Sequence, residues 1–364
     1  MSHVFEPVTV GGLQLRNRLM RSATAERMSD ARSGAPTQRL AQTYAALAAG
    51  GVGLIVTGHA CVERAGKAHP RMSAIDDDGL IAPWRAVIAP AQRAGARVML
   101  QINHCGASAD PAVNPAPLSP SGVATNPAIA PREMTEDEIA RVVAAFGQAA
   151  RRARAAGFDG VQIHGAHGYL VTQFLSRATN RRDDGWGGDA ARRRAFLLAV
   201  IAAMRQEAGA DYPVWIKLGV AGAAANGLVP QEGACAAAAC ARAGVGCIEV
   251  SHGQGIPEDL PLRGEAVYLP LAQAVRAAVG PTYPLALVSG FRSLGAMSEV
   301  LAGGVVQLVS LCRPLIAEPE LPNRLAGGQA AAECVRCSRC WPSEEPDWVR
   351  CRDAGVLARL TGLG

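Results

Sequence analysis

Two imidazoles three residues apart, followed two residues later by a phenol, are the most chemically suggestive feature of this 364-residue chain. They are His164, His167 and Tyr169, in the segment GFDGVQIHGAHGYLVTQFLSRATNRRDDGWGG (157–188). Where a strand end turns into a helix, that spacing puts both rings on one side, able to donate to a single oxygen. A nearby phenol can then deliver a proton to a carbanion. The same His-x-x-His spacing also suits a metal, and two histidines and a tyrosine can simply cap a strand. A second cluster is Cys334-x2-Cys337-x2-Cys340-x10-Cys351. Three thiols so spaced can wrap one metal centre and a fourth can close it. A 4Fe–4S cluster, zinc and an empty loop are all open from the spacing. The other six cysteines, Cys312 among them, lie mostly in apolar runs and read as small buried hydrophobes.

The elements that must position these groups alternate along the chain. Short, almost continuously apolar runs at 18–24, 53–58, 97–103, 160–165, 213–219, 247–252, 285–290 and 306–312 predict strands covered on both faces. Ala-rich amphipathic runs at 38–49, 83–94, 136–156, 193–208, 232–243, 267–278 and 294–302 predict helices between them. Thr135-Glu136-Asp137-Glu138 reads as a capping box, and several helices stop at glycine. Eight such units predict an α/β fold: a single (β/α)8 TIM barrel over residues 1–328. An N-terminal hairpin (8–15, turning at Gly11-Gly12) is expected to plug its bottom. A long Pro-rich loop after strand three (104–131) reads as a lid that shapes the pocket. A Cys-rich tail (329–364) forms a separate compositional zone. Barrels carry their chemistry at the carboxyl ends of the strands. Thr24, Ala25, Thr57, Gly58, Gln101, His164, His167, Tyr169, Lys217, His252, Gly290 and Arg313 collect there.

Composition narrows the class. Hydrophobic residues make up 49%, enough for a large core, and charged residues only 18%. The net charge of +5 suits an anionic ligand, and no basic run argues for nucleic acid. No apolar run is long enough to span a membrane. The opening MSHVFEP lacks a charged and then apolar leader, so a reduced, cytoplasmic protein is expected.

The motifs resemble those of the Old Yellow Enzyme family of flavin-dependent ene-reductases. VFEPVTVGGLQLRNRLMRSAT is similar to that family's opening, GLIVTGHACV and MLQINHCG to its second and third strand ends, and HGAHGYLVTQFLS to its most specific segment. VSLCRPLIAEPELPNR resembles its last barrel strand and phosphate region. The Arg21-Ser22-Ala23-Thr24 run and the cysteine tail are nearer the 2,4-dienoyl-CoA reductase and trimethylamine dehydrogenase branch.

That resemblance implies FMN in the barrel mouth. Ala23, Thr24, Ala25, Thr57 and Gly58 would contact the ring, Gln101 its pyrimidine edge, and Lys217 the N1–O2 side where charge appears on reduction. Gly290, Cys312 and Arg313 would border the phosphate. His164 and His167 would bind the carbonyl oxygen of an enone or enoyl thioester, with His252 facing the same pocket, and Tyr169 would protonate the α-carbon. NAD(P)H would reduce the flavin in an earlier half-reaction. A homo-oligomer is expected. Ala25 stands where relatives carry Thr or Cys, so no side-chain hydrogen bond tunes the flavin from there. Cys334, Cys337, Cys340 and Cys351 would hold a 4Fe–4S cluster, although no GxGxxG unit for an appended nucleotide-binding domain is visible. The competing readings are an amine dehydrogenase or N-demethylase, a flavin- or metal-binding accessory subunit, and a flavin-free phosphate-binding lyase.

Overall fold

The computed structural model describes residues 3–261, 263–342 and 347–362. Parts of the predicted tail, 343–346 and 363–364, therefore lie outside the described residues. The barrel strands are β1 (Leu19–Arg21), β2 (Leu54–Val56), β3 (Arg97–Asn103), β4 (Gly160–Gly165), β5 (Val214–Gly219), β6 (Ile248–Ser251), β7 (Leu285–Val288) and β8 (Leu308–Leu311). Each pairs in parallel with the next, β8 returns to β1, and β3 meets β4 with Gln101 opposite Gln162. The eight barrel strands close on one another, so each has a strand neighbour on both sides. Helices α1 (Gln38–Ala49), α2 (Ile81–Arg93), α3 (Glu136–Ala156), α4 (Ala195–Ala208), α5 (Pro230–Arg242), α6 (Leu269–Val279), α7 (Leu294–Ala302) and α8 (Leu321–Ala326) follow the strands in turn. Among the described residues no helix is long and apolar enough to cross a membrane.

Local chemistry explains the boundaries. Thr135 accepts from the Glu138 amide, and Glu138 accepts from the Thr135 amide, so α3 starts on the expected capping box. The predicted helix 193–208 is interrupted at Arg194. The buried Arg193 is anchored there by the Leu175 carbonyl and by Glu232 at 2.6 Å.

The hairpin of Val8–Val10 and Leu13–Leu15 turns on Gly11 and Gly12, both at positive φ, as a two-residue turn requires. Its Val10, Leu13 and Leu15 pack against Met20, Leu54, Met99, Trp215 and Leu308 inside the barrel, and Trp215 Nε1 donates to the Gly11 carbonyl at 3.0 Å. The plug makes the lower barrel apolar and leaves the polar chemistry to the upper end.

Two expectations about the surroundings of the mouth change. The loop 104–131 contributes only Ser108 to the wall of the main cavity among the described lining residues. It is held outward instead, with Arg182 donating to the Pro120 carbonyl and the Arg181 amide to Ser121 Oγ. The tail takes its place: Val335, Arg336, Cys337, Trp341, Pro342 and Val349 all line the cavity. The tail is tied to the barrel by the Val349 amide on the Glu26 carbonyl and by Arg39 stacked 3.5 Å over Trp348. Composition marked it as separate, but packing makes it part of the site.

Candidate active site

A cavity of 1210 Å³ opens at the carboxyl ends of the strands, large for a small-molecule site. Ala23, Thr24, Ala25, Gln101, His164, His167, Tyr169, Lys217, His252, Gly290, Cys312 and Arg313 all line it. Thr57 and Gly58 do not appear on its wall. They sit one layer back, and a Cβ on Gly58 would strike Glu26 and the Thr24 carbonyl.

His164 sits at the end of β4, where the Ala166 amide donates to its Nδ1 at 3.3 Å. Its Nε2 therefore carries the proton and is the donor. His167 stands at φ +59°, a conformation that non-glycine residues rarely hold, with its amide bonded to the His252 carbonyl. This turn brings the two rings edge to face at 5.0 Å. His167 Nε2 meets Ser251 Oγ at 3.0 Å, an interaction that fixes its ring but that spacing could not reveal. Tyr169 caps the short helix Leu170–Leu175 and stands 4.8 Å from His164, ring to ring. His252 completes the group, 4.7 Å from His167.

Protonation follows from burial. Loss of water, and then the positive charge of Lys217 and the neighbouring imidazoles, hold His164 and His167 well below the ordinary histidine range. His167 lines the cavity with an exposed side chain. Both rings are neutral donors at neutral pH. Burial pushes the Tyr169 phenol above its usual range, so it keeps its proton.

Behind the wall lies a network that the sequence reading missed. Glu249, wholly buried on β6, accepts from Ser22 Oγ and Ser310 Oγ, each at 2.7 Å, and from Gln162 Nε2 at 3.0 Å. Lys217 Nζ donates to Ser22 Oγ at 2.6 Å and to Glu249 at 3.2 Å. Gln101 Nε2 donates to Gln162 at 2.8 Å. A glutamate inside the apolar run CIEVSH was the available signal, because a charge in a strand covered on both faces must be paired.

The β7–β8 side is cationic. Gly290 has φ +67°, and a Cβ there would strike the Gly264 carbonyl and crowd Arg336. Arg313 donates to the Arg336 carbonyl at 3.1 Å and to Ser338 Oγ at 3.0 Å. Arg336, within the cysteine motif, bonds the Gly264 and Gly290 carbonyls. FMN fits these residues: a large cavity, amide and ammonium donors at Gln101 and Lys217, and a glycine with two guanidinium groups for a phosphate.

The cysteines are a different case. Cys334, Cys337, Cys340 and Cys351 line one small pocket of 20 Å³, and all four are free thiols. Among the described residues no three His, Cys, Asp or Glu groups stand close enough to hold a metal. The loop brings the four cysteines to one pocket without forming a ligand set among the described residues. His59, His69 and Arg336 also line the main cavity and were not anticipated.

The sequence profile of the NADH:flavin oxidoreductase / NADH oxidase family matches residues 3–331. The chain belongs to that family, the Old Yellow Enzyme family. It is 34% identical to a metal reductase of Desulforamulus reducens, over 93% of this chain and 51% of that protein. It is 33% identical to an NADH oxidase of Thermoanaerobacter brockii, over 92% of this chain and 53% of that protein. The chain thus spans about half the length of these two relatives. An NADPH dehydrogenase of Geobacillus thermodenitrificans, 32% identical, is covered over 93% of its length and 89% of this chain. Morphinone reductase superposes with a TM-score of 0.78 at 26% identity, covering 91% of each chain. A 2-naphthoyl-CoA reductase complex gives a TM-score of 0.86 at 24% identity, over 91% of this chain and 54% of that one, which speaks for the fold alone.

Proposed function

We propose that this chain is an FMN-dependent ene-reductase acting on an α,β-unsaturated carbonyl compound or enoyl thioester. The observation that carries the reading is the trio His164, His167 and Tyr169 on one wall of the cavity, with both imidazoles neutral and the phenol protonated. Bound FMN, reduced by NAD(P)H, supplies the hydride for the β-carbon. His164 and His167 hold the carbonyl oxygen, and their hydrogen bonds tighten as that oxygen gains negative charge. Tyr169 keeps a proton for the α-carbon because burial disfavours its phenolate. Gln101 and Lys217 orient the flavin, and Glu249 holds the Lys217 ammonium in place. Two neutral N–H donors favour a carbonyl oxygen over a cationic amine.

The test is anaerobic mixing of the NAD(P)H-reduced, FMN-loaded protein with 2-cyclohexenone and a panel of enones and enoyl thioesters. Rapid reoxidation with formation of the saturated product is expected. A flavin that stays reduced against the whole panel, or one reduced by tertiary amines, ends this reading.

A further inference from the structure

Beside the pair just described, three features remain unexplained. His59, just beyond β2, has its ring 5.6 Å from His164 and 5.3 Å from Tyr169. It is only 6% exposed, and Asn103 Nδ2 donates to its Nδ1 at 2.9 Å. That bond places the ring proton on Nε2, which makes no hydrogen bond to the described residues and belongs to a cavity-lining ring. Next along the same loop comes His69, also 6% exposed, its ring 6.3 Å from that of His59. Both of its ring nitrogens are buried with no hydrogen-bond partner among the described residues. A buried polar group left unsatisfied is unfavourable unless a ligand or water meets it. The five rings His252, His167, His164, His59 and His69 thus form a continuous row along the wall.

The charge around this row is one-sided. Arg27, Lys217, Arg263, Arg313 and Arg336 line the cavity, and no Asp or Glu is among its described lining residues. Burial, then the positive charges about it, including Arg27 and Lys67, push His69 down to about 2, and burial pushes His59 down to about 4. Both rings are therefore uncharged and resist protonation in a field that attracts anions.

We propose that His59, backed by His69, forms a second oxygen-binding subsite beside His164 and His167, and that the preferred substrate is an unsaturated carbonyl compound carrying a carboxylate. One oxygen is held by His164 and His167. The carboxylate lies toward the β2 loop, where His59 Nε2–H donates to it and Arg27, on the same cavity wall and acting on His69, balances its charge. The inference rests on the ene-reductase reading for the identity of the first oxygen, but not for the subsite itself.

Phenol and the three hydroxybenzoates probe it without turnover. Each is titrated into the oxidised, FMN-loaded protein, and binding is read from perturbation of the flavin spectrum. The subsite requires that at least one hydroxybenzoate bind about tenfold or more tighter than phenol, as a charge-assisted hydrogen bond implies. In His59→Phe that ratio falls to near one, and His59→Gln, which keeps a donor, restores part of it. His69→Phe gives the same collapse by a second route if His59→Phe does not fold. Equal binding of phenol and all three acids, or a preference that survives both phenylalanine variants, overturns the subsite. Loss of phenol binding with a His59-dependent acid preference intact would leave the subsite standing and remove the ene-reductase reading instead.

Discussion

Lys217 on β5 and Glu249 on β6 form a buried ion pair, Nζ to Oε1 3.2 Å, with both side chains almost wholly removed from solvent. It makes the upper barrel a polar layer set on an apolar plug. The lysine faces the cavity while its counter-charge stays behind the wall. Breaking one half of such a pair leaves an uncompensated charge, which costs about 3–5 kcal/mol. Glu249→Leu and Lys217→Met are each expected to lower unfolding stability by about that amount, measured by denaturant titration. The double variant should lose clearly less than the sum of the two. Simple additivity would mean that the two groups do not act as a pair.

Tyr169→Phe removes the proton without removing the ring. The enone half-reaction should slow by about 10²–10⁴-fold, the range of a lost general acid. Reduction of the flavin by NAD(P)H, followed separately by stopped flow, should change little. Equal slowing of both half-reactions would show that Tyr169 shapes the pocket rather than supplying the proton.

Glu26 gives a pH signature. Burial is the leading cause that raises its carboxyl to about 7, against Arg21 and hydrogen bonds that pull the other way. The folded state therefore binds this proton more tightly than the unfolded one. Its contribution is fully present below about pH 4.5 and is lost as pH rises toward about 7. Across that window the wild type should lose about 3 kcal/mol relative to Glu26→Gln. The histidines, depressed by burial, act in the opposite sense in both proteins and cancel in the comparison. A pH-independent difference between the two proteins would contradict a buried, neutral Glu26.

For the tail, anaerobic reconstitution with iron and sulfide followed by elemental analysis decides what the thiols hold. If the loop closes on a cluster, wild type binds iron and sulfide while Cys337→Ser does not, and both retain FMN. A wild type that takes up zinc in preference, or no metal, would remove the iron–sulfur reading and leave the loop as a wall of the cavity.

Local patterns were the legible part of this protein. Strands β3 and β4 and helices α1, α3 and α7 fall on the residues that periodicity and capping indicate, because each depends on its own neighbours in sequence. His164, His167 and Tyr169 were legible for the same reason: one strand end and one turn place all three. Glu249 and Arg336 were harder. Each is a single charged residue whose partners come from other strands, and only closure of the barrel brings those partners near.

The order of apolar runs and the spacing of three side chains determined that a parallel barrel would present two imidazoles and a phenol at its mouth. Only the tertiary structure decided what surrounds them. It turned the loop after β3 outward, drew the cysteine tail into the wall, and brought His59 and His69 alongside His164. The physical reason is that a long connection has many low-energy paths, and packing against distant elements selects among them.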